Sequence, residues 1–239
     1  MHPGFLSRLA APIAALAIWA SASAQPPTPP EPEPVARIQG LAQQGDANAQ
    51  VKLGDWYRKG AGASPDWEKA RFWYQKAAAQ GHARGLLKLG VIYWEGLGVP
   101  QNRNEAVKLY LKSAALGDAD AGSKLAYAYK LGVGVPKDDA RALHWLVFSA
   151  DLGAPLAQVV LGQLYEAGDN GTGKNPVIAY ALYELAAGGK TEEAREGRKA
   201  RAALEWAISP REKVLAQVLA TRIRSSGLKK VLAGSGAVR

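Results

Sequence analysis

The segment Gly168-Asp169-Asn170-Gly171-Thr172-Gly173-Lys174-Asn175 comes within one residue of a phosphate-binding loop. That chemistry needs a hydroxyl after the lysine to hold Mg²⁺ and a strand ahead of the first glycine. Asn175 has no hydroxyl, and the residues ahead of Gly168 have helical spacing, so the segment reads as a lengthened connection between helices. Gly96-x-Gly98 and Gly132-x-Gly134 lack the third glycine and the strand of a dinucleotide fingerprint. His82 and His144, the only histidines beyond His2, fall at unrelated positions, and no cysteine exists. Neither a His-Glu-x-x-His zinc motif nor a Gly-x-Ser-x-Gly elbow is present. No catalytic residue, metal ligand or cofactor site is therefore expected, and the chain reads as non-enzymatic.

Other residues have the character of contact groups. Lys52, Lys88 and Lys124 recur at one offset and would make a ladder of cations. Trp94 stands where sister segments carry Arg58, Lys130 and Glu166, and Tyr127 where they carry Asp55, Val91 and Gln163. Both aromatics thus occupy slots that are mostly polar, and exposed aromatics beside cations are typical interface anchors. Lys52, Lys88, Trp94, Lys124 and Tyr127 are the expected partner-binding residues, for a protein or peptide partner rich in carboxylates.

The offset that aligns them is 36 residues. Gly45, Gly81, Gly117 and Gly153 keep it, as do Tyr57, Tyr93, Tyr129 and Tyr165, and Gly60, Gly96, Gly132 and Gly168. A fixed period of this size marks a solenoid, in which each unit buries its apolar face only against its neighbours. Each unit contains two helices. The first carries Leu53, Gly54 and Tyr57, the second Ala70, Trp73, Ala77 and Ala78 at the spacing of a buried stripe. Trp73 and Trp145 accordingly fall at core positions.

Gly54, Gly90 and Gly162 lie inside first helices, where glycine costs about 1 kcal/mol against alanine. Repeat three has Ala126 there, so small size is the requirement, and close approach of the second helix with its alanine pair is the expected reason. On that reading Gly90→Ala should be near neutral. Glycines three residues after each tyrosine suit a helix C′ position, and Asp66, Asn102, Asp138 and Asn175 are placed to cap the second helices.

Tyr-x-x-Gly-x-Gly-Val, then Asp or Asn, then Ala-x-x-Trp and an Ala-Ala-x-x-Gly ending, resembles the Sel-1-like repeat family, relatives of the tetratricopeptide repeats. The tetratricopeptide period is about 34 residues; the glycine-rich interhelical loop distinguishes the Sel-1-like class. Four copies cover residues 45–190. Ala126, Ser113 and Ser149 depart from the pattern, and the fourth loop is longer. The resemblance implies an all-α, right-handed α/α superhelical solenoid of helix-turn-helix repeats. It implies an adaptor or scaffold that binds protein on a concave surface lined by first helices. Hydrolysis of cell-wall or β-lactam compounds, proposed for the cysteine-rich branch, fits poorly with a chain that has neither cysteines nor a catalytic set.

The ends complete the organisation. Residues 1–24, with Arg8, an apolar run from Leu9 to Ala20 and Ala22-Ser23-Ala24, have the form of a secretory signal peptide. Export to the periplasm, or secretion, follows, with no transmembrane segment in the mature chain. Residues 25–34 form a proline-rich linker and 35–44 a capping half-repeat. Residues 191–224 are read as capping helices, with Val214, Leu215, Val218, Leu219 and Ile223 on one apolar face, and 225–239 as a flexible basic tail. Charge is uneven: 17 basic and 16 acidic residues from Gln25 to Gly189, but 12 and 5 from Lys190 to Arg239. That excess makes an anionic envelope polymer or membrane surface the alternative partner. An export signal argues against nucleic acid.

Overall fold

The computed structural model describes residues 35–60, 64–169 and 171–235. The expected signal peptide and proline-rich linker lie outside the described residues. The described residues form helices only. They are α1 (Val35–Gln43), α2 (Ala47–Lys59), α3 (Trp67–Ala79), α4 (Ala83–Glu95), α5 (Arg103–Ala115) and α6 (Ala119–Leu131). They continue with α7 (Asp139–Asp151), α8 (Pro155–Ala167), α9 (Pro176–Ala186), α10 (Glu192–Leu204), α11 (Pro210–Ser226) and α12 (Leu228–Ser235). The pairs α2/α3, α4/α5, α6/α7 and α8/α9 are the four repeats, each hairpin packed on the next.

Capping explains why the boundaries repeat. Asp66, Asn102, Asp138 and Asn175 each accept a hydrogen bond from the backbone N–H three residues on, at 2.9–3.1 Å. First helices are capped as well, by Asp46, His82 and Asp118. At the other end Gly96, with φ +74°, turns the chain so that its N–H and that of Leu97 both reach the Ile92 carbonyl.

The core of each repeat is set by the contact between its two helices. A Cβ on Gly90 would lie 2.6 Å from Cε1 of Tyr110; on Gly54, 2.5 Å from Tyr74; on Gly162, 2.5 Å from Tyr183. The partner of each glycine is thus a tyrosine ring on the second helix, and not the alanine pair. Repeat three has Ala126 because Leu146 stands where the others have tyrosine, and both are buried in one cluster. Alanine is allowed there by a smaller neighbour, so Ala126 gives no ground for expecting Gly90→Ala to be neutral beside Tyr110. The buried stripe likewise runs through Ala70, Tyr74 and Ala77. Trp73 lies beside it, half-buried, one residue out of the expected register, and Trp145 is half-buried also.

The serine departures have a local cause. Ser113 and Ser149 are fully buried, and their hydroxyls donate to the Ala83 and Ala119 carbonyls at 2.8 and 2.7 Å. Each ties the second helix to the first turn of its own repeat.

Beyond repeat four the chain does more than cover an end. Helix α10 packs on α8 and α9, α11 packs on α9, and α12 reaches α7. Helix α9 is thereby enclosed, and Ile178 through Tyr183 are all buried. Two expectations are corrected here. Helix α11 buries Ala216, Ala220 and Ile223, leaving Val214, Leu215 and Val218 exposed; small residues let it approach α9 closely. Residues 228–235 are no loose tail, since Leu228, Val231 and Leu232 are buried in the core shared by repeats three and four, where α12 lies against α7. Asp151, at the end of α7, accepts from the N–H groups of Leu228 and Lys229 at 2.5 and 3.2 Å, satisfying the first turn of α12.

Candidate functional site

Successive first helices are linked by side chains along one surface. Asn48 of α2 meets His82 at the start of α4 at 3.0 Å. Asp55 of α2 lies 3.8 Å from the Lys88 ammonium of α4. Arg84 of α4 contacts Asp120 of α6 at 2.5 Å, with Asp118 at 3.9 Å. His82 Nδ1 accepts from the Gly85 N–H, which puts the ring proton on Nε2, facing Asn48.

Asp55 is the hub of this surface. It accepts from the Tyr74 hydroxyl at 2.8 Å and from Arg58 at 3.3 Å, besides pairing with Lys88. Burial pulls the Lys88 pKa down, against the attraction of Asp55 and with Arg84 and Arg58 adding to the shift. Arg84 is the reverse case: burial opposes its charge, but Asp120 and Asp118 outweigh that and raise its pKa. These groups balance one another, so the surface over repeats one to three is a partly buried network of mixed sign. It suits recognition by complementary polar contacts, and its members have no nucleophile–base arrangement.

The expected contact residues separate. Lys52 is exposed, Lys124 and Tyr127 are half-buried, and Lys88 belongs to the network just described. Trp94 is a correction: only 9% of it is exposed, and it belongs to the core. Its ring lies 6.0 Å from Tyr110 and 6.1 Å from Tyr127, with the Arg103 guanidinium 5.8 Å from its centroid. Trp94 and Tyr127 are thus brought together across repeats two and three as packing partners. A slot that is polar in sister repeats is apolar here, with Tyr110 and Tyr127 packed on the ring and Val91 standing where repeat one has Asp55.

That replacement leaves a mark. Tyr74 gives its hydroxyl to Asp55, and Tyr183 gives its own to Glu166 at 2.8 Å. The buried hydroxyl of Tyr110 has no partner, and burial pushes its pKa upward. The sequence signal was available: Val91 and Trp94 together remove both acceptors used by the equivalent tyrosines. Buried Gln50 and Gln158, whose amides donate to the Ala42 and Ala150 carbonyls at 3.1 Å, were not legible as structural residues.

The loop that resembles a phosphate cradle is the α8–α9 connection. Its Thr172 hydroxyl serves the Leu164 and Asp169 carbonyls at 3.0 and 2.8 Å, closing the end of α8. Among the described residues no cluster of three or more His, Asp or Glu side chains is placed to hold a metal ion. No described helix is long and apolar enough to cross a membrane.

Comparison with known proteins agrees with this geometry. The family model of the Sel1 repeat matches residues 47–82, 83–118, 119–153 and 155–188. The chain is similar to a Sel1 repeat protein from Oxalobacter formigenes, with 28% identity over 72% of this chain and 74% of that one, at a TM-score of 0.58. It is also similar to a protective antigen of uropathogenic Escherichia coli strains that displays an SLR fold. There the identity is 26% over 86% of this chain and 51% of that one, at a TM-score of 0.47. A Pseudomonas aeruginosa protein matches with 22% identity over 86% and 83% of the two chains, at a TM-score of 0.49. No curated protein gives a significant match. With four matched repeats that coincide with the four helical hairpins, the chain belongs to the Sel1 repeat family.

Proposed function

We propose that this protein is a non-enzymatic adaptor that binds a protein partner on the surface of its first helices. The observation that carries the reading is the network from Asn48 to Asp120. Side-chain links join first helices of neighbouring repeats there, so these helices present one continuous polar surface across repeats one to three. A surface spanning several repeats and lined by charges of both signs favours an extended partner with its own mixed polar groups. Lys52, Lys124 and Tyr127 border the network as contact residues, and Lys88 acts within it. Trp94 supports Tyr127 from beneath.

Export belongs to the same proposal: cleavage after Ala24 would release a periplasmic or secreted chain beginning at Gln25, and mass analysis of the native protein checks it. An intact Met1 overturns that part. The binding surface is tested by photo-crosslinking residues placed at Lys52, Lys124 and Tyr127, and at exposed Lys76 and Lys112 on second helices. A defined adduct from the first set alone is expected. Adducts only from Lys76 and Lys112 would move the binding surface to the opposite side.

A further inference from the structure

We propose that helix α11, with the turn before it, is a docking surface for an anionic lipid bilayer. The turn carries Trp206, which is 94% exposed, and α11 presents Val214, Leu215 and Val218, each more than half exposed. A solubilising surface would not concentrate a fully exposed tryptophan and three large aliphatics, whereas scattered single apolar residues are ordinary. Helical spacing puts Arg211, Val214, Val218 and Arg222 on one side, opposite the Ala216–Ala220–Ile223 face buried against α9.

Charge selects the occupant. From Pro210 to Ser235 there are six basic residues and one acidic residue, Glu212. Glu212 is occupied, because its carboxylate accepts from the Ser209 N–H and hydroxyl at 2.8 and 2.7 Å as half of a capping box. Lys213 pairs with Glu205. Among the described residues Arg211, Arg222 and Arg224 have no carboxylate at ion-pair distance. A second copy docked on α11 would oppose arginine to arginine. The crest of a helix, with aliphatics at its centre and arginines around them, instead matches the boundary between headgroups and acyl chains. There tryptophan is favoured and guanidinium groups reach anionic phosphates. The surface is distinct from the first-helix network, so one molecule could hold a partner and a bilayer together.

The test uses the chain from Gln25 to Arg239, which contains every described residue and omits the apolar Leu9–Ala20 run that would itself enter lipid. Co-sedimentation with vesicles of equal parts phosphatidylglycerol and phosphatidylcholine is compared with pure phosphatidylcholine. Binding to the anionic vesicles alone is expected, weakening as salt rises. Each basic residue near an anionic surface contributes roughly fivefold, so the Arg211→Gln, Arg222→Gln double variant should partition roughly twenty-fivefold less. Trp206→Ser with Val214→Gln and Val218→Gln should lose tenfold or more at an unchanged melting temperature, since these side chains are already exposed. Absence of binding to anionic vesicles overturns the proposal, as does equal binding by both variants. Self-association abolished by the apolar variant, without vesicle binding, would assign the face to a second copy.

Discussion

Replacing Gly90 by alanine tests what holds the two helices of a repeat together. The new methyl would sit 2.6 and 2.8 Å from two ring carbons of Tyr110 and 3.4 Å from the Ala106 carbonyl oxygen. Carbon contacts rest near 3.5–4.0 Å, so the ring must move by about 1 Å. Tyr110 is fully buried and backed by Trp94 at 6.0 Å, which leaves it nowhere to go without displacing the next layer. Overpacking of this kind costs roughly 1–3 kcal/mol. Alanine recovers ~1 kcal/mol of helix propensity, so the net loss should be about 0–2 kcal/mol. The sharper measurement is the double-mutant cycle with Tyr110→Leu, which rebuilds in repeat two the Ala126–Leu146 pair of repeat three. With the ring gone the clash vanishes and the propensity gain remains, so Gly90→Ala should become neutral or stabilising. The coupling energy should be roughly 1–3 kcal/mol, well above the ~0.5 kcal/mol scatter of independent sites. Urea unfolding followed by far-ultraviolet circular dichroism and by tryptophan fluorescence would measure it, with coincident transitions establishing that repeats unfold together. If Gly90→Ala costs the same in both backgrounds, the glycine–tyrosine contact is not the reason for the glycine.

Tyr110→Phe should be neutral or slightly stabilising because it removes an orphan hydroxyl, whereas Tyr74→Phe and Tyr183→Phe should each cost about 0.5–1.5 kcal/mol by chemical denaturation. Asp55→Ala strands the Tyr74 hydroxyl and should cost about 1–3 kcal/mol, while Lys88→Met, which removes an ammonium disfavoured by burial, should not lower the unfolding midpoint. Asp151→Ala should release α12 by removing its N-terminal acceptor, costing about 1 kcal/mol and raising hydrogen exchange at Val231 and Leu232. Truncation after Gly227 should cost more than Asp151→Ala, because Leu228, Val231 and Leu232 leave the core shared by repeats three and four; equal stability would show that α12 is not integral to the fold.

Regularities that translate along the chain are legible without coordinates. The 36-residue period, the cap acceptors Asp66, Asn102, Asp138 and Asn175, and the glycine ends of the first helices depend on a few neighbouring residues. Each repeat states them again, so local rules and period reinforce one another. Facing is different. Adjacent helical residues differ by about 100° in direction, so whether Trp73 or Tyr74 points inward depends on what the other helix offers, and Gly54 offers a slot only a flat ring fills. Trp94 occupies a polar slot by alignment but is buried, because Tyr110 and Tyr127 come to it from another helix and another repeat. In sequence the large aliphatics of α11 stand out, but the helix buries Ala216 and Ala220, since small residues let it approach α9 closely. Helix α12 has too few residues to announce itself; it is helical because Asp151, 77 residues earlier, receives its first N–H and the core shared by repeats three and four receives its leucines. The repeat is a local property written four times, while the surfaces it presents are decided by contacts between residues far apart in the chain.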